Sequence, residues 1–265
     1  MKKERVVFFS DPLNDDFAGT KITSVTVDGN YPYKRSRLWR ALSAALYFLA
    51  LPAVFLTAKL YLGLKTENRK VFKKLKKTGF FLYGNHTQQL DAFIPPLAAF
   101  PHRAYIVANP DAVSIKGLKT VVQMLGCIPV PTELSGFRPF TEAVNGAIAG
   151  GGCVAIYPEA HIWPFYTGIR PFTDVSFSYP VKAGAPVIAM TTTYRRRRGL
   201  FALCKKPGMT VTFSDVLYPD PDLPPRQAQK DLRDLVFSFM EQTAAREGNI
   251  EYIRYVRVDP TAADE

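Results

Sequence analysis

Six short apolar runs, separated by stretches of helical periodicity from residue 78 onward, most constrain what this chain can fold into. They are Phe80 to Tyr83, Ala104 to Ala108, Gly126 to Val130, Cys153 to Tyr157, Pro186 to Tyr194 and Met209 to Phe213. Runs without a polar alternate face belong to strands covered on both sides, and helices between them supply the crossovers that parallel neighbours need. The expectation is an α/β fold with a mostly parallel, helix-covered central sheet. Near the end, Leu232, Leu235, Val236, Phe239 and Met240 share one helical face after Pro224-Pro225, which predicts an amphipathic closing helix packed on that sheet.

Upstream the chain changes character. Ala41 to Ala58 carries no charge and is flanked by Lys34, Arg35, Arg37 and Arg40 before it and by Lys65, Arg69, Lys70, Lys73, Lys74, Lys76 and Lys77 after it. As a straight helix this run reaches roughly 27 Å, slightly short of the ~30 Å hydrocarbon core. Pro52 breaks the hydrogen-bond ladder midway and Lys59 interrupts the apolar continuation, so a bent or hairpin segment that dips into the bilayer and returns is expected, with a buried core helix as the alternative. Basic clusters at both ends give no crossing direction and suit anionic headgroups.

The net charge of +11, from 34 lysines and arginines against 23 acidic residues, attracts phosphate in any form. No recognition motif accompanies the basic runs, so membrane lipids rather than nucleic acid are the expected partners. Residues 1–33 read as a polar arm with one alternating run, Lys21 to Val27, no visible chemistry and no secretory leader. Cys127, Cys153 and Cys204 are too scattered for a disulfide framework and fit a reducing cytoplasm. The expected organisation is an arm over 1–33, a membrane-associated helical segment over 34–77 at the cytoplasmic face of the cell membrane, monotopic or re-entrant with a single pass as the alternative, and a catalytic domain over 78–265.

Chemistry collects at two strand ends, where open α/β sheets gather their ligands. His86 follows the first run and Asp91 comes five residues later. On a regular helix such a pair would point about 140° apart, so a loop must join them. A neutral imidazole can take a hydroxyl proton while a carboxylate holds its other ring nitrogen. A structural histidine beside a helix-capping aspartate fits the spacing equally well. The fourth run then ends in Pro158-Glu159-Ala160-His161, a second strand end carrying a carboxylate and a histidine.

In four ordered blocks the sequence resembles the glycerolipid acyltransferases, the lysophosphatidic acid acyltransferase superfamily. Asn85-His86-Thr87-Gln88-Gln89-Leu90-Asp91 matches the family's N-H-x4-D, Gly126 to Val130 looks like its glycine-led second block, and Tyr157-Pro158-Glu159-Ala160 is similar to its Phe-Pro-Glu-Gly. Val181 to Met190 resembles its fourth, a proline-containing strand. The resemblance covers about residues 70 to 195. It implies His86 and Asp91 as the catalytic pair, Glu159 and Asn85 as organisers of the acceptor pocket, no metal and no cofactor. The donor it implies is an acyl-CoA or acyl-carrier-protein thioester, and the acceptor a lysophospholipid hydroxyl such as that of 1-acylglycerol 3-phosphate.

Two departures concern the acceptor. Pro131 and Ile162 stand where the family usually has phosphate-contacting arginines, and Arg138 and Arg170 are the nearby replacements, each equally plausible as an ordinary loop arginine. His161 is expected to brace its loop rather than ligate zinc, although Glu159 and His161 are ligand types. Arg195-Arg196-Arg197-Arg198 reads as a solvated loop or a contact for lipid or CoA phosphates. A lipid hydrolase and a non-catalytic membrane adaptor remain the alternative classes, the adaptor being favoured if His86 and Asp91 do not touch.

Overall fold

The computed structural model describes residues 5–17, 24–33 and 36–258. The elements in chain order are β1 (Val6–Phe9), α1 (Arg37–Leu60), β2 (Lys65–Glu67), β3 (Phe80–Gly84), α2 (Ile94–Ala98), β4 (Ala104–Ala108), α3 (Lys119–Met124), β5 (Cys127–Pro129), α4 (Phe137–Ala149), β6 (Cys153–Ile156), α5 (Ser178–Ala183), β7 (Val187–Arg195), β8 (Gly208–Phe213), α6 (Pro225–Ala244) and β9 (Arg254–Arg257). The central sheet has seven strands in the order β2-β8-β7-β3-β6-β4-β5. Every neighbouring pair is parallel except β7 with β8, which is antiparallel. All six apolar runs are strands of this sheet, within two residues of their expected ends.

β3 lies at the centre, with Phe80 opposite Cys153 of β6 and Phe81 opposite Val187 of β7. Its side chains alternate between two cores. Phe80 and Leu82 pack with Ala58, Leu62, Phe72, Ile94 and Ala98 on the α1 and α2 side. Phe81 and Tyr83 pack with Phe140, Val144, Leu232, Val236 and Met240 on the α4 and α6 side. This double burial is why β3 shows no polar alternation. On α6 the buried row is Ala228, Leu232, Val236 and Met240, at i, i+4 spacing, whereas Leu235, placed on that face by the sequence reading, is exposed.

Three features of the amino-terminal region correct the sequence expectation. First, α1 is one continuous 24-residue helix with Pro52 inside it, not a hairpin. At 1.5 Å per residue it is about 36 Å long. Both halves are held to the domain, which offsets the ladder bond lost at Pro52. Ser43 Oγ donates to the Met124 carbonyl at 2.6 Å, Tyr47 Oη accepts the Ala104 N–H at 3.0 Å, and Ala58 is fully buried. Outward, α1 presents Leu38, Leu42, Phe48, Leu49, Phe55 and Leu56 to the surroundings.

Second, the sheet begins inside the segment assigned to the membrane, because β2 pairs with β8 from Lys65 onward. Third, the arm is part of the domain: β1 pairs in parallel with β9. Lys21 to Thr23 of the expected alternating run, together with Lys34 and Arg35 of the basic flank, lie outside the described residues. Ser24 to Val27 form no strand, and Val27 instead exchanges hydrogen bonds with Thr132.

Candidate active site

His86 sits in the loop that leaves the end of β3, and Asp91 lies in a short 3-10 turn over Gln89–Phe93. The turn brings the pair together: His86 Nδ1 is 3.1 Å from Asp91 Oδ2. The same oxygen accepts the backbone N–H of Thr87 at 2.7 Å and of Gln88 at 2.8 Å. A carboxylate has only acceptors to offer, so the geometry assigns the ring proton to Nδ1 and leaves Nε2 as the acceptor nitrogen. Asp91 is fully buried, whereas the His86 side chain keeps 17% exposure. Asp91 is thus both the turn's cap and the imidazole's orienter. The two readings of the spacing are one arrangement.

The second strand end supports the first. Tyr157 stacks on the His86 ring at 4.6 Å between centroids, and its hydroxyl donates to the Asp91 carbonyl at 2.7 Å. Gly84 leaves room for this stack: a Cβ there would come within 3.1 Å of the Tyr157 ring. Glu159 is buried, its Oε2 accepting the His86 N–H at 3.1 Å and its Oε1 the Arg170 N–H at 3.0 Å. Further on, the Trp163 N–H donates to the His86 carbonyl at 3.2 Å and the Phe165 N–H to the Thr87 carbonyl at 3.0 Å. The loop after β6 is therefore stitched along the loop after β3. Ala160 and Phe165 take positive φ values, 63° and 61°, to follow this path.

Burial raises the Glu159 carboxyl above the ordinary carboxylate range, opposed by the Arg170 charge and by the two N–H groups. Arg170 is 1% exposed, with its guanidinium over the Trp163 ring and bonded to the carbonyls of Glu159, His161 and Pro12. This placement makes Arg170 an internal brace and leaves no free fork for a substrate phosphate. Arg138 is also not at the pair: its side chain is 90% exposed at the start of α4 and ion-paired with Glu142. The preceding strand β5 is three strands from β3, roughly 14 Å at ordinary strand spacing.

Asn85 is an anchor rather than a pocket wall. Its amide oxygen accepts the Thr192 N–H at 2.7 Å and its Nδ2 donates to the Thr192 carbonyl at 3.1 Å, extending the β3 to β7 ladder with a side chain. His161 stands 3.8 Å from Asp16 of the amino-terminal arm, in keeping with its expected bracing role. No group of three or more possible metal ligands occurs among the described residues.

The sequence reading missed Tyr157 as the platform under His86, Tyr194 and the arm. Tyr194 Oη donates to Thr87 Oγ1 at 2.8 Å and fixes the loop from the β7 side. The arm covers the loop after β6, where Trp163 Nε1 donates to the Asp15 carbonyl at 2.7 Å and Phe9 and Phe17 pack edge-on against Trp163. An aromatic in the third block was the one available signal for Tyr157. The arm had none, because its partners lie about 150 residues away in sequence.

A histidine oriented by a buried aspartate at a strand end can take a hydroxyl proton, and the Acyltransferase family matches this chain over residues 64–193. That span runs from just before β2 into β7 and contains both strand-end loops. The chain carries an acyltransferase domain over that span. Among solved structures it is similar to the 1-acyl-sn-glycerophosphate (LPA) acyltransferase PlsC from Thermotoga maritima. The TM-score is 0.55 at 16% identity, over 80% of this chain and 85% of that one, a likeness of fold. No curated protein matches the sequence.

Proposed function

We propose that this acyltransferase moves a fatty acyl chain from an acyl-CoA or acyl-carrier-protein thioester to the free hydroxyl of a lysophospholipid such as 1-acylglycerol 3-phosphate, in phospholipid biosynthesis. The observation that carries the reading is the 3.1 Å contact from buried Asp91 to a His86 ring that remains partly open to its surroundings. Nε2 of His86 takes the proton as the acceptor oxygen attacks the thioester carbonyl. The tetrahedral oxyanion collapses, the C–S bond breaks, and the imidazolium returns its proton to the leaving thiolate. Asp91 stabilises the imidazolium, and Glu159 acts at one remove by holding the His86 main chain. The reaction needs neither a metal nor an acyl-enzyme.

Working at the cytoplasmic face of the membrane suits the exposed apolar side of α1, with Leu49 at 78% and Leu38 at 69% exposure. The helix would lie along the bilayer, because Ser43, Tyr47 and Ala58 tie it lengthwise to the domain. Such an anchor keeps the His86 opening where lysolipids reside.

The test is an acceptor panel of lysophosphatidic acid, glycerol 3-phosphate and other lysophospholipids, with acyl-CoA or acyl carrier protein as donor, read by lipid mass spectrometry. Acylated lysophospholipid is expected from the wild type. His86→Ala and Asp91→Asn should fall by on the order of 10²–10⁴-fold with the fold intact. Free fatty acid release that ignores every acceptor would make the protein a hydrolase instead, and full activity in His86→Ala would remove the proposed base.

A further inference from the structure

The four-arginine run is not a uniformly solvated loop. Arg195 Nη2 donates to the Gly63 carbonyl at 2.5 Å and Arg195 Nε to Thr210 Oγ1 at 3.1 Å. Arg197 caps the end of α1, with Nη1 on the Leu60 carbonyl at 3.0 Å, Nη2 on the Tyr61 carbonyl, and Nε on the Lys206 carbonyl at 3.1 Å. From the other side of the hairpin, Lys206 Nζ donates to Tyr61 Oη at 2.6 Å. These bonds make the β7–β8 hairpin and the carboxyl end of α1 one unit. Arg196 and Arg198 lie beyond the end of β7. Both are exposed, and neither has an acidic partner among the described residues.

The tip between them and Lys205 is apolar. Leu203 is 92% exposed and Phe201 44%. A single exposed leucine is ordinary on a protein surface. This one is flanked in sequence by cations, and its hairpin is bonded to the helix end that also exposes Leu56, Leu60 and Tyr61. Between hairpin and helix end lies a cleft of about 690 Å³ whose wall carries Lys59, Lys65, Arg196 and Arg198 and no carboxylate. The hairpin also projects from the His86 end of the sheet, since Tyr194, next to the arginine run, bonds Thr87 beside His86.

We propose that the β7–β8 hairpin tip, residues 196–206, is a second bilayer-contacting element selective for anionic phospholipid. Leu203 and Phe201 enter the acyl region, while Arg196, Arg198 and Lys205 meet lipid phosphates and the cleft seats one headgroup phosphate. This rests on the membrane reading of α1 given above and adds a second point of contact. Two contacts, at the helix and at the hairpin, would fix the tilt of the domain and aim the His86 opening at the bilayer.

Cys204, at the tip, is exposed, whereas Cys153 is buried and Cys127 half-buried, so the full-length protein can be labelled at Cys204 with an environment-sensitive fluorophore. On vesicles of phosphatidylcholine and phosphatidylglycerol in about a two-to-one ratio, the emission should shift to the blue and be quenched by spin labels high on the acyl chains. Arg196→Gln and Arg198→Gln should each lower vesicle affinity about fivefold, the equivalent of ~1 kcal/mol per basic residue at an anionic surface. Leu203→Ser should reduce the blue shift.

Protein that sediments with vesicles while the Cys204 probe stays unchanged would overturn the hairpin proposal and leave the α1 anchor standing. Failure to sediment would remove both. An equal response on pure phosphatidylcholine would overturn the anionic selectivity. A probe that answers coenzyme A in solution and not vesicles would give the cleft to the thioester donor and overturn the lipid assignment.

Discussion

The backbone N–H of His86 donates to Glu159 Oε2 at 3.1 Å, so the carboxylate of one strand end holds the main chain of the other. Its second oxygen holds the Arg170 N–H at 3.0 Å. Removing it leaves the N–H groups of His86 and Arg170 without their acceptor and the buried Arg170 guanidinium without its counter-charge. Glu159→Ala is therefore expected to lose about 3–5 kcal/mol of stability and most of the activity, by urea unfolding and turnover. Wild-type stability in this variant would mean that the carboxylate does not brace the two loops.

The two arginines that sequence reasoning offered as phosphate contacts separate cleanly. Arg138→Ala removes an exposed i, i+4 pair with Glu142 and should change stability by no more than about 0.5 kcal/mol and leave KM for the acceptor unaltered. Arg170→Ala empties a buried site and strips Glu159 of its counter-charge, at roughly 3–5 kcal/mol. A large rise in acceptor KM for Arg138→Ala, with stability unchanged, would return that residue to the binding site.

What the sequence made legible follows from how each signal arises. The apolar runs were readable because β3, β6 and β7 are buried on both faces, and the His86 and Asp91 pair because it lies within one short segment at a strand end. Arg170 was misread because nothing local distinguishes a buried guanidinium from an exposed one. Its burial comes from Trp163 and from the Pro12 carbonyl, 158 residues away. Asn85 was misread because its partners, the main chain of Thr192, come from a strand 107 residues on. Pro52 pointed to a break, but tertiary contacts on both sides of it keep α1 continuous.

Ala160 holds φ at +63° at a position where the resembling family usually has glycine. An L side chain in that region carries a steric penalty of about 1–2 kcal/mol, partly offset because glycine gains freedom in the unfolded chain. Ala160→Gly should then stabilise the protein by roughly 0.5–1 kcal/mol, raising Tm by about 1–4 °C for a domain of this size. Thermal scans of the purified variant decide it. A fall in Tm would mean that the loop gains more from the alanine's stiffness than it loses to strain.

Thiol reactivity offers a check on the packing around the sheet that is independent of catalysis. Cys127 begins β5, and burial pushes its thiol up from 9.0 to about 12, while the buried Cys153 in β6 is pushed up for the same reason. At pH 8 almost all of Cys127 would then be the unreactive neutral thiol. One thiol per chain, the exposed Cys204, should therefore react quickly with an aromatic disulfide reagent at pH 8, and the other two only on unfolding. The folded pKa of Cys127 is raised, so its neutral form favours the native state. That contribution is complete below pH 9.0 and declines as pH rises toward about 12. Cys127→Ala should flatten this part of the alkaline stability profile. Equal reaction rates for all three thiols in the native protein would show that β5 and β6 are not covered as the fold requires.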